Sequence, residues 1–499
     1  MSPRIRWLGV AMVACFVLLF LQLNNLEVVK AHQYANASGN PQVIVAKFGQ
    51  TRGVILSADG VVLAQSVLAP KGSTYKYLRE YPTHTLFGQI TGVVSHIYGS
   101  YGVEDYYNSY LVSHNRPIKT VGDLLSPQTV TDTVTLTLSD ALQTDAMNEL
   151  AGRDGAIVVL DPSTGAIEAM YSNPTYDPSR LASPDGTTER QAWQQDTLSR
   201  DSEHYVPFTS LAYQDHDFPG STFKIVTSAA AYQYAPQLVN SAMTSYACIP
   251  PGTFKGQTTE LCNFNHNENC GGTIAEMLPP SCDTGFALLG TKVGAFPMVA
   301  EANSFGFNQQ PPIDLPHSLN EESDFLQPSC YENAQVFLAF SSIGQKCTEA
   351  SPLQMAMVAA AIADDGVVMT PHVMSEIRDS QGNLVQTYKP KLWLRATSPQ
   401  TAAAINNLMT QVVTSPVGTA AGVGFPAQDD VAAKTGTAQV EDLAGNYIAT
   451  NDWMIAFAPA SAPKVAIAVY LPNQRVEDTG AQKAGPVMKD MIEDALALP

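Results

Sequence analysis

GAIVVLDPSTGAIEAMYS, Gly155 to Ser172, is the stretch on which the fold turns. Apolar, partly β-branched runs flank a Pro-Ser-Thr-Gly turn, so it reads as two strands around that turn. Just upstream, DTVTLTL (Asp132 to Leu138) alternates as a strand does. SDALQTDAMNEL (Ser139 to Leu150) follows with a Ser N-cap and with Leu142, Ala146, Met147 and Leu150 at helical spacing. Far downstream come Ala-rich helical stretches, Ser351 to Ala363 and Pro399 to Val413. Two strand candidates close the chain, VAAKTGTAQV (Val431 to Val440) and KVAIAVYL (Lys464 to Leu471), before an apolar helix-like end, GPVMKDMIEDALAL. Strands at both ends with helices between them predict an α+β domain, an antiparallel sheet covered by helices.

Ahead of this domain, VIVAKFGQTRGVILSADGVVLAQS (Val43 to Ser66) alternates in the manner of strands, with Asp59-Gly60 as a hairpin turn. Residues 67–130 are rich in Tyr, His, Ser and Gly and read as a loop-rich α+β module. The extreme N-terminus is of another kind. Trp7 to Leu23 (WLGVAMVACFVLLFLQL) carries no charge and sits at the lower limit for crossing ~30 Å of hydrocarbon. Arg4 and Arg6 precede it, and basic flanks stay cytoplasmic, so the remainder is expected outside the inner membrane on a single-pass anchor. NNLEVVKAHQ is a poor cleavage context, which argues against a removed signal peptide.

With 499 residues, 45% of them hydrophobic, and only 34 Gly and 33 Pro, the chain has the material for a large core. The net charge of −19, from 46 acidic against 27 basic residues, would repel a polyphosphate backbone and excludes nucleic acid as an expected partner. Six of the seven cysteines, Cys248, Cys262, Cys270, Cys282, Cys330 and Cys347, lie in the exported part and are expected in disulfides, with pairings that sequence cannot choose. Cys262, His266 and Cys270 look like partial zinc ligands, but CNFNHNENC matches no standard zinc signature.

The candidate chemistry lies in three short patterns. Ser221-Thr222-Phe223-Lys224 leads into the apolar helix IVTSAAAYQY. Residues three apart share a helix face, so Lys224 can reach the Ser221 hydroxyl, and a desolvated lysine has its pKa lowered enough to serve as a base. Alone this pattern is weak, because Ser73 to Lys76 and Ser461 to Lys464 also fit S-x-x-K. Pro463 spoils a helical face in the last, and Ser73 belongs to the N-terminal module; only Ser221 begins a helix within the larger domain. Lys434-Thr435-Gly436-Thr437 lies inside a strand, where a Gly lets a ligand backbone approach and the Thr hydroxyls with an ammonium make a carboxylate site. Ser281-Cys282-Asp283 precedes the apolar helix TGFALLGT; Ser281 can pass a proton between a lysine and a leaving amine, or simply cap the helix.

S-x-x-K, S-x-D and K-T-G in that order, in one exported domain, resemble the motif set of the penicillin-binding proteins. More closely the chain resembles the class B, monofunctional transpeptidases, through RGVILSADGVVLA (Arg52 to Ala64), VVLDPSTGAIEAMYSNPTYDP (Val158 to Pro178), SIGQ (Ser342 to Gln345), SPLQMAMVAAAIADDG (Ser351 to Gly366), KTGTAQ (Lys434 to Gln439) and DWMIAFAP (Asp452 to Pro459). The resemblance implies a cytoplasmic tail at 1–6, an anchor at 7–24, a pedestal of the class B dimerisation type at 25–135 and a penicillin-binding transpeptidase domain at 136–499. It implies peptidoglycan stem peptides ending in D-Ala-D-Ala as substrate and β-lactams as acylating inhibitors. No cofactor or metal is implied, and a polytopic membrane glycan polymerase is the implied partner.

In these roles Ser221 is the nucleophile, Lys224 its base and Ser281 the relay. Lys434, Thr435, Gly436 and Thr437 bind the substrate carboxylate, and the backbone N–H groups of Ser221 and Thr437 form an oxyanion hole. Asp283 stands where the family usually has Asn. It contacts substrate or orients the lysines, and its carboxylate is expected to raise the Lys224 pKa and weaken the base. A D,D-carboxypeptidase using water as acceptor, and an inactive envelope-assembly scaffold, are the competing functions.

Overall fold

A computed structural model describes residues 3–24, 48–115, 129–198, 205–264, 266, 268–317, 321–326, 330, 334–442 and 446–498. Its centre is a five-stranded sheet in the order Ala432–Glu441, Tyr447–Ala458, Val465–Gln474, Gly155–Leu160, Ile167–Asn173, with every neighbouring pair antiparallel. The two strands read from Gly155 to Ser172 are thus half of the story, and the two candidates near the C-terminus join them from the other side.

Every residue of Gly155–Leu160 is buried. The period-two geometry of a strand explains how one run can do this, since alternate side chains leave by opposite faces. Ala156, Val158 and Leu160 enter one core, while Ile157 and Val159 enter another. Val465–Gln474 sorts likewise, Ala466, Ala468 and Tyr470 to the first core and Ile467, Val469 and Leu471 to the second. The C-terminal helix Gly480–Ala497 and the helix Asp140–Leu150 cover the second face, bringing Met488, Met491, Ile492, Leu142 and Ala146. Pro352–Ala363 covers the first; it is apolar on all sides and fully buried through Ile362, as a helix in the middle of a domain must be. Ser139, Ser351 and Ser398 each cap their helix by accepting a backbone N–H, as the sequence predicts for Ser139.

The N-terminal unit is built on a six-stranded sheet, ordered Leu384–Thr387, Met374–Arg378, Thr133–Leu136, Ile55–Leu56, Val62–Leu68, Tyr77–Glu80. Ile55–Leu56 and Val62–Leu68 form the expected hairpin around Asp59-Gly60, with Ile55 opposite Ala64. Residues 43–47, the start of that expected strand, and 116–128 of the loop-rich module lie outside the described residues. Asp59 does more than turn the chain. Its carboxylate accepts from the backbone N–H of Asp140 (3.0 Å) and Ala141 (3.2 Å), an anion at the start of the Asp140–Leu150 helix.

Met374–Arg378 and Leu384–Thr387, which lie within the stretch 136–499, pair into the N-terminal sheet and complete it. Thr133–Leu136 has Ile55–Leu56 on one side and needs a partner on the other, and Met374–Arg378 supplies it while burying Met374 and Ile377. Asp314 ties the same junction, accepting from Tyr107 (2.5 Å), Val373 N (2.6 Å) and Met374 N (3.0 Å).

Pro3–Asn24 is a 22-residue helix, and its described side chains at Trp7 and from Met12 to Phe20 are exposed. Among the described residues no helix is long and apolar enough to cross a membrane.

Beneath the N-terminal sheet, Glu104 is fully buried and paired with Arg52 and with Arg79 (2.6 Å), while Arg52 also reaches Asn108 (2.8 Å). Burial pushes the Glu104 carboxyl up, but the two guanidinium groups outweigh it and hold its pKa below the usual range. The cluster is therefore ionised and intact at neutral pH. Glu104→Ala strands two buried cations and is expected to cost about 3–5 kcal/mol, read as the loss in unfolding free energy in urea at pH 7. A loss under about 1 kcal/mol, the size of a surface pair, would contradict this account.

Candidate active site

Sequence places Ser221 at the head of an apolar helix; the structure adds one tighter turn. Gly220–Phe223 is a 3₁₀ turn, and the α-helix proper is Lys224–Tyr234. Side chains three apart eclipse one another in a 3₁₀ turn, which sets Lys224 directly over Ser221. The Lys224 Nζ is 2.9 Å from the Ser221 Oγ. Phe223 pins this turn by stacking on Phe325 and meeting Phe307 edge-on, and Thr222 closes it with a 2.7 Å bond to the Pro219 carbonyl.

The other two motifs converge on the same point. Ser281 accepts Lys224 at both its carbonyl (2.8 Å) and its hydroxyl (3.3 Å), and the Lys434 Nζ donates to that hydroxyl at 2.8 Å. Asp283 accepts Lys224 at 2.7 Å. Lys434 also donates to the Thr435 carbonyl at 2.8 Å. Thr435 Oγ1 lies 2.6 Å from Thr419 Oγ1, and Thr437 Oγ1 accepts the Gly480 N–H at 3.0 Å. Ser221, Ser281, Asp283, Thr435 and Thr437 all line one cavity of about 950 Å³. Lys224 and Lys434 are fully buried behind it.

Burial dominates the electrostatics. It lowers the Lys224 pKa against the opposing pull of Asp283. Asp283 thus acts in the expected direction, yet the lysine ends below its ordinary value, because desolvation exceeds the ion pair. Lys434 is pushed far lower, by burial first and then by the charge of Lys224, with Asp283 only partly offsetting. The pair therefore offers a nucleophile, a depressed amine in contact with it, and a hydroxyl bridge between two lysines.

The rival S-x-x-K patterns assemble nothing comparable. Ser73 bonds the backbone of Tyr75 (3.2 Å) in an exposed turn, and Ser461 is exposed with its N–H on Asp430 (2.8 Å). The zinc alternative is displaced as well. Cys248 is bonded to Cys262, Cys270 to Cys282 and Cys330 to Cys347, so the thiols of Cys262 and Cys270 are consumed by different partners. Among the described residues Cys248, Cys262 and His266 lie close together, with the two sulfurs already joined.

Some of the site is absent from the three motifs. Gly344, inside SIGQ, accepts the Gly220 N–H at 2.9 Å and sits at φ +77, where a Cβ would lie 2.0 Å from the Gly220 oxygen. Gly436 also packs closely, its Cβ position 2.7 Å from the Pro219 oxygen. Asn263 holds the SxD helix by accepting the Thr284 N–H at 3.0 Å. For Gly344 the signal lay in the quoted SIGQ pattern; for Thr419 and Asn263 it is a contact across the chain that local pattern does not carry.

The pattern of the penicillin binding protein transpeptidase domain matches residues 155–493, and that of the penicillin binding protein A dimerisation domain matches 52–129. Peptidoglycan D,D-transpeptidase PbpA of Mycobacterium tuberculosis is 32% identical over 512 residues, covering 99% of this chain and 99% of that protein. The structure of penicillin-binding protein A from M. tuberculosis as a ceftriaxone acyl-enzyme superposes with a TM-score of 0.79 at 31% identity, covering 91% of this chain and 100% of that one. Its penicillin G acyl-enzyme gives a TM-score of 0.77 at 31% identity, over 90% and 100%.

A methyl group at Gly344 must displace the Gly220 carbonyl and with it the serine turn. Gly344→Ala is expected to slow acylation of Ser221 by a fluorescent penicillin at least tenfold, since displacements of about 1 Å cost up to ~10²-fold. A rate within twofold of wild type, in stopped-flow or gel-based labelling, would show that the turn does not depend on this contact.

Proposed function

We propose that this chain, which belongs to the penicillin-binding protein transpeptidase family, cross-links peptidoglycan by serine-mediated D,D-transpeptidation and is acylated on Ser221 by β-lactams. The observation that carries this reading is the 2.9 Å contact between Ser221 and a fully buried Lys224, with Ser281 joining Lys224 to Lys434 behind the cavity.

Ser221 attacks the penultimate carbonyl of a stem peptide ending in D-Ala-D-Ala, and Lys224, whose charge burial disfavours, takes the proton in its neutral form. The first N–H groups of a helical turn have no partner within it, so the Ser221 N–H faces the reacting carbonyl. With the Thr437 N–H from the neighbouring strand it forms the oxyanion hole, a device typically worth ~10²–10³ in rate. Thr435 and Thr437 face the cavity and hold the terminal carboxylate, with Lys434 behind them and Gly436 letting their strand close on Pro219. Ser281 hands a proton to the departing D-Ala, and an amine of a second stem then takes the acyl group.

In this reading residues 7–24, the uncharged run within the helix Pro3–Asn24 and about 27 Å long at 1.5 Å per residue, are the membrane anchor, with 1–6 cytoplasmic and the rest outside. The uncharged run and its exposed apolar side chains support that placement. From such an anchor the N-terminal unit raises the catalytic domain toward the wall, beside a polytopic glycan polymerase that supplies uncross-linked strands.

Purified protein should label with fluorescent penicillin, the label mapping to Ser221 by peptide mass spectrometry, while folded Ser221→Ala stays dark. Equal labelling of both, or none of a folded wild type, defeats the assignment. Deleting residues 1–24 should move the chain from the membrane pellet to the supernatant; a truncated chain that still sediments with membranes would place the anchor elsewhere.

A further inference from the structure

Asp283 does something an asparagine could not. Counting donors and acceptors around Lys224 makes this clear. Its Nζ has three close partners, the Ser281 carbonyl (2.8 Å), the Asp283 carboxylate (2.7 Å) and the Ser221 hydroxyl (2.9 Å). The carbonyl can only accept, and so can an ionised carboxylate. A neutral Lys224 gives its two protons to those acceptors and turns its lone pair to the serine. A charged Lys224 gives its third proton to Ser221 Oγ and has no lone pair left. The serine proton then needs another acceptor, and the group in place is Asp283 Oδ1, 3.4 Å from Ser221 Oγ, with the hydroxyl donating.

We propose that Asp283 is a second catalytic proton acceptor for Ser221, working while Lys224 is an ammonium, so that the enzyme acylates through two protonation states of one site. This rests on the reading of Ser221 as the nucleophile. In the Asp283 route the Ser221 O–H bond breaks as the O–C bond to the substrate carbonyl forms. The proton passes to Asp283 Oδ1, the carbonyl electron pair goes to the oxyanion, and the Lys224 ammonium stabilises the serine oxygen as it gains charge. On collapse the C–N bond breaks. The leaving nitrogen takes a proton through the Ser281 hydroxyl from Lys224, 3.3 Å away, and the Asp283 carboxyl returns its proton to Lys224 across 2.7 Å. The amine leaves with the proton that Lys224 held, the serine proton takes its place on Lys224, and the site is reset.

The placement suits this role. Asp283 opens the helix Asp283–Val293, and its side chain keeps 19% exposure toward the cavity. The charged groups facing it are Lys224 from the serine helix and Lys434 from the strand; Glu260, Glu268 and Glu276 of the 260–276 segment and Glu477 share the same cavity wall. Burial lowers the Lys224 pKa against the pull of Asp283, and the Asp283 route gains weight as Lys224 takes up its proton toward acid.

The test is the second-order rate of penicillin acylation from pH 5.5 to 9 for wild type, Asp283→Asn and Asp283→Glu. Wild type is expected to lose less than about threefold between pH 8 and pH 6. Asp283→Asn, left with neutral Lys224 alone, is expected to fall more steeply toward acid than wild type over the same range, even though losing the carboxylate itself lowers the Lys224 pKa, and Asp283→Glu to restore the acid-side rate. Normalised profiles of wild type and Asp283→Asn that superimpose overturn the proposal, as does a wild-type rate that itself falls tenfold per unit, which decides the matter even if Asp283→Asn does not fold. A wild type that acylates at no pH instead defeats the reading of Ser221 on which all of this rests.

Discussion

The constraint on which the structure depends is the burial of two lysine amines, Lys224 and Lys434, beside one serine hydroxyl. Moving one ion out of water costs several kcal/mol after relaxation, and two like charges add their repulsion. Among the described residues Asp283 is the carboxylate that forms a salt bridge with either of them, and it pairs with Lys224. Lys434 is left with the Ser281 hydroxyl and the Thr435 carbonyl, and its charge is the one disfavoured most strongly. The site tolerates this only because each amine meets acceptors at 2.7–2.9 Å, and because a depressed amine is what the chemistry uses.

Holding those acceptors in place explains several irregular features of the backbone. Ser281 has φ +62, a left-handed conformation that a serine adopts at a cost, and it turns both the Ser281 carbonyl and hydroxyl toward Lys224. Its neighbour Cys282 is bonded to Cys270, and Thr284 is held by Asn263 and by the Tyr246 carbonyl (3.0 Å), so the segment is clamped on both sides of the strained residue. On the opposite wall, Gly436 lets the strand Ala432–Glu441 lie against Pro219, and Gly344 lets its loop lie against Gly220. Strain and close approach gather around Ser221 and Lys224, where position matters most.

This division also explains what could be read in advance. Although the sheet strand Tyr447–Ala458 and the strands between 367 and 395 were not read, strand and helix placement from Ser139 to Ser172, from Ser351 to Ala363, from Pro399 to Val413, from Val431 to Val440 and from Lys464 to Leu471 was legible because alternation and capping are local signals. The three motifs were legible for the same reason, and their order bound them into one site. The electrostatic balance was not. The effect of Asp283 on Lys224 has the sign that chemistry predicts, but the outcome is set by burial of Lys224 beside Ser281 and the Phe286 ring of the Asp283–Val293 helix, which no spacing reveals. Thr419 and Asn263 escaped for a related reason, since their partners Thr435 and Thr284 lie across the fold.

The exchange of strands between the two units bears on how the catalytic domain is carried. Had the N-terminal sheet ended at Thr133–Leu136, the pedestal would be a bead on a string, free to tilt. Instead Met374–Arg378 and Leu384–Thr387 leave the catalytic unit to complete that sheet, and Asp314 fastens Tyr107 to Val373 and Met374. The chain that returns from this sheet runs into Pro399–Thr414, which packs on Ala432–Glu441, the strand bearing Lys434. The N-terminal unit and the strand bearing Lys434 are therefore linked through continuous, packed secondary structure. An isolated catalytic domain cut at residue 136 would expose the unpaired edge of Met374–Arg378, so the smallest self-sufficient unit includes the N-terminal sheet.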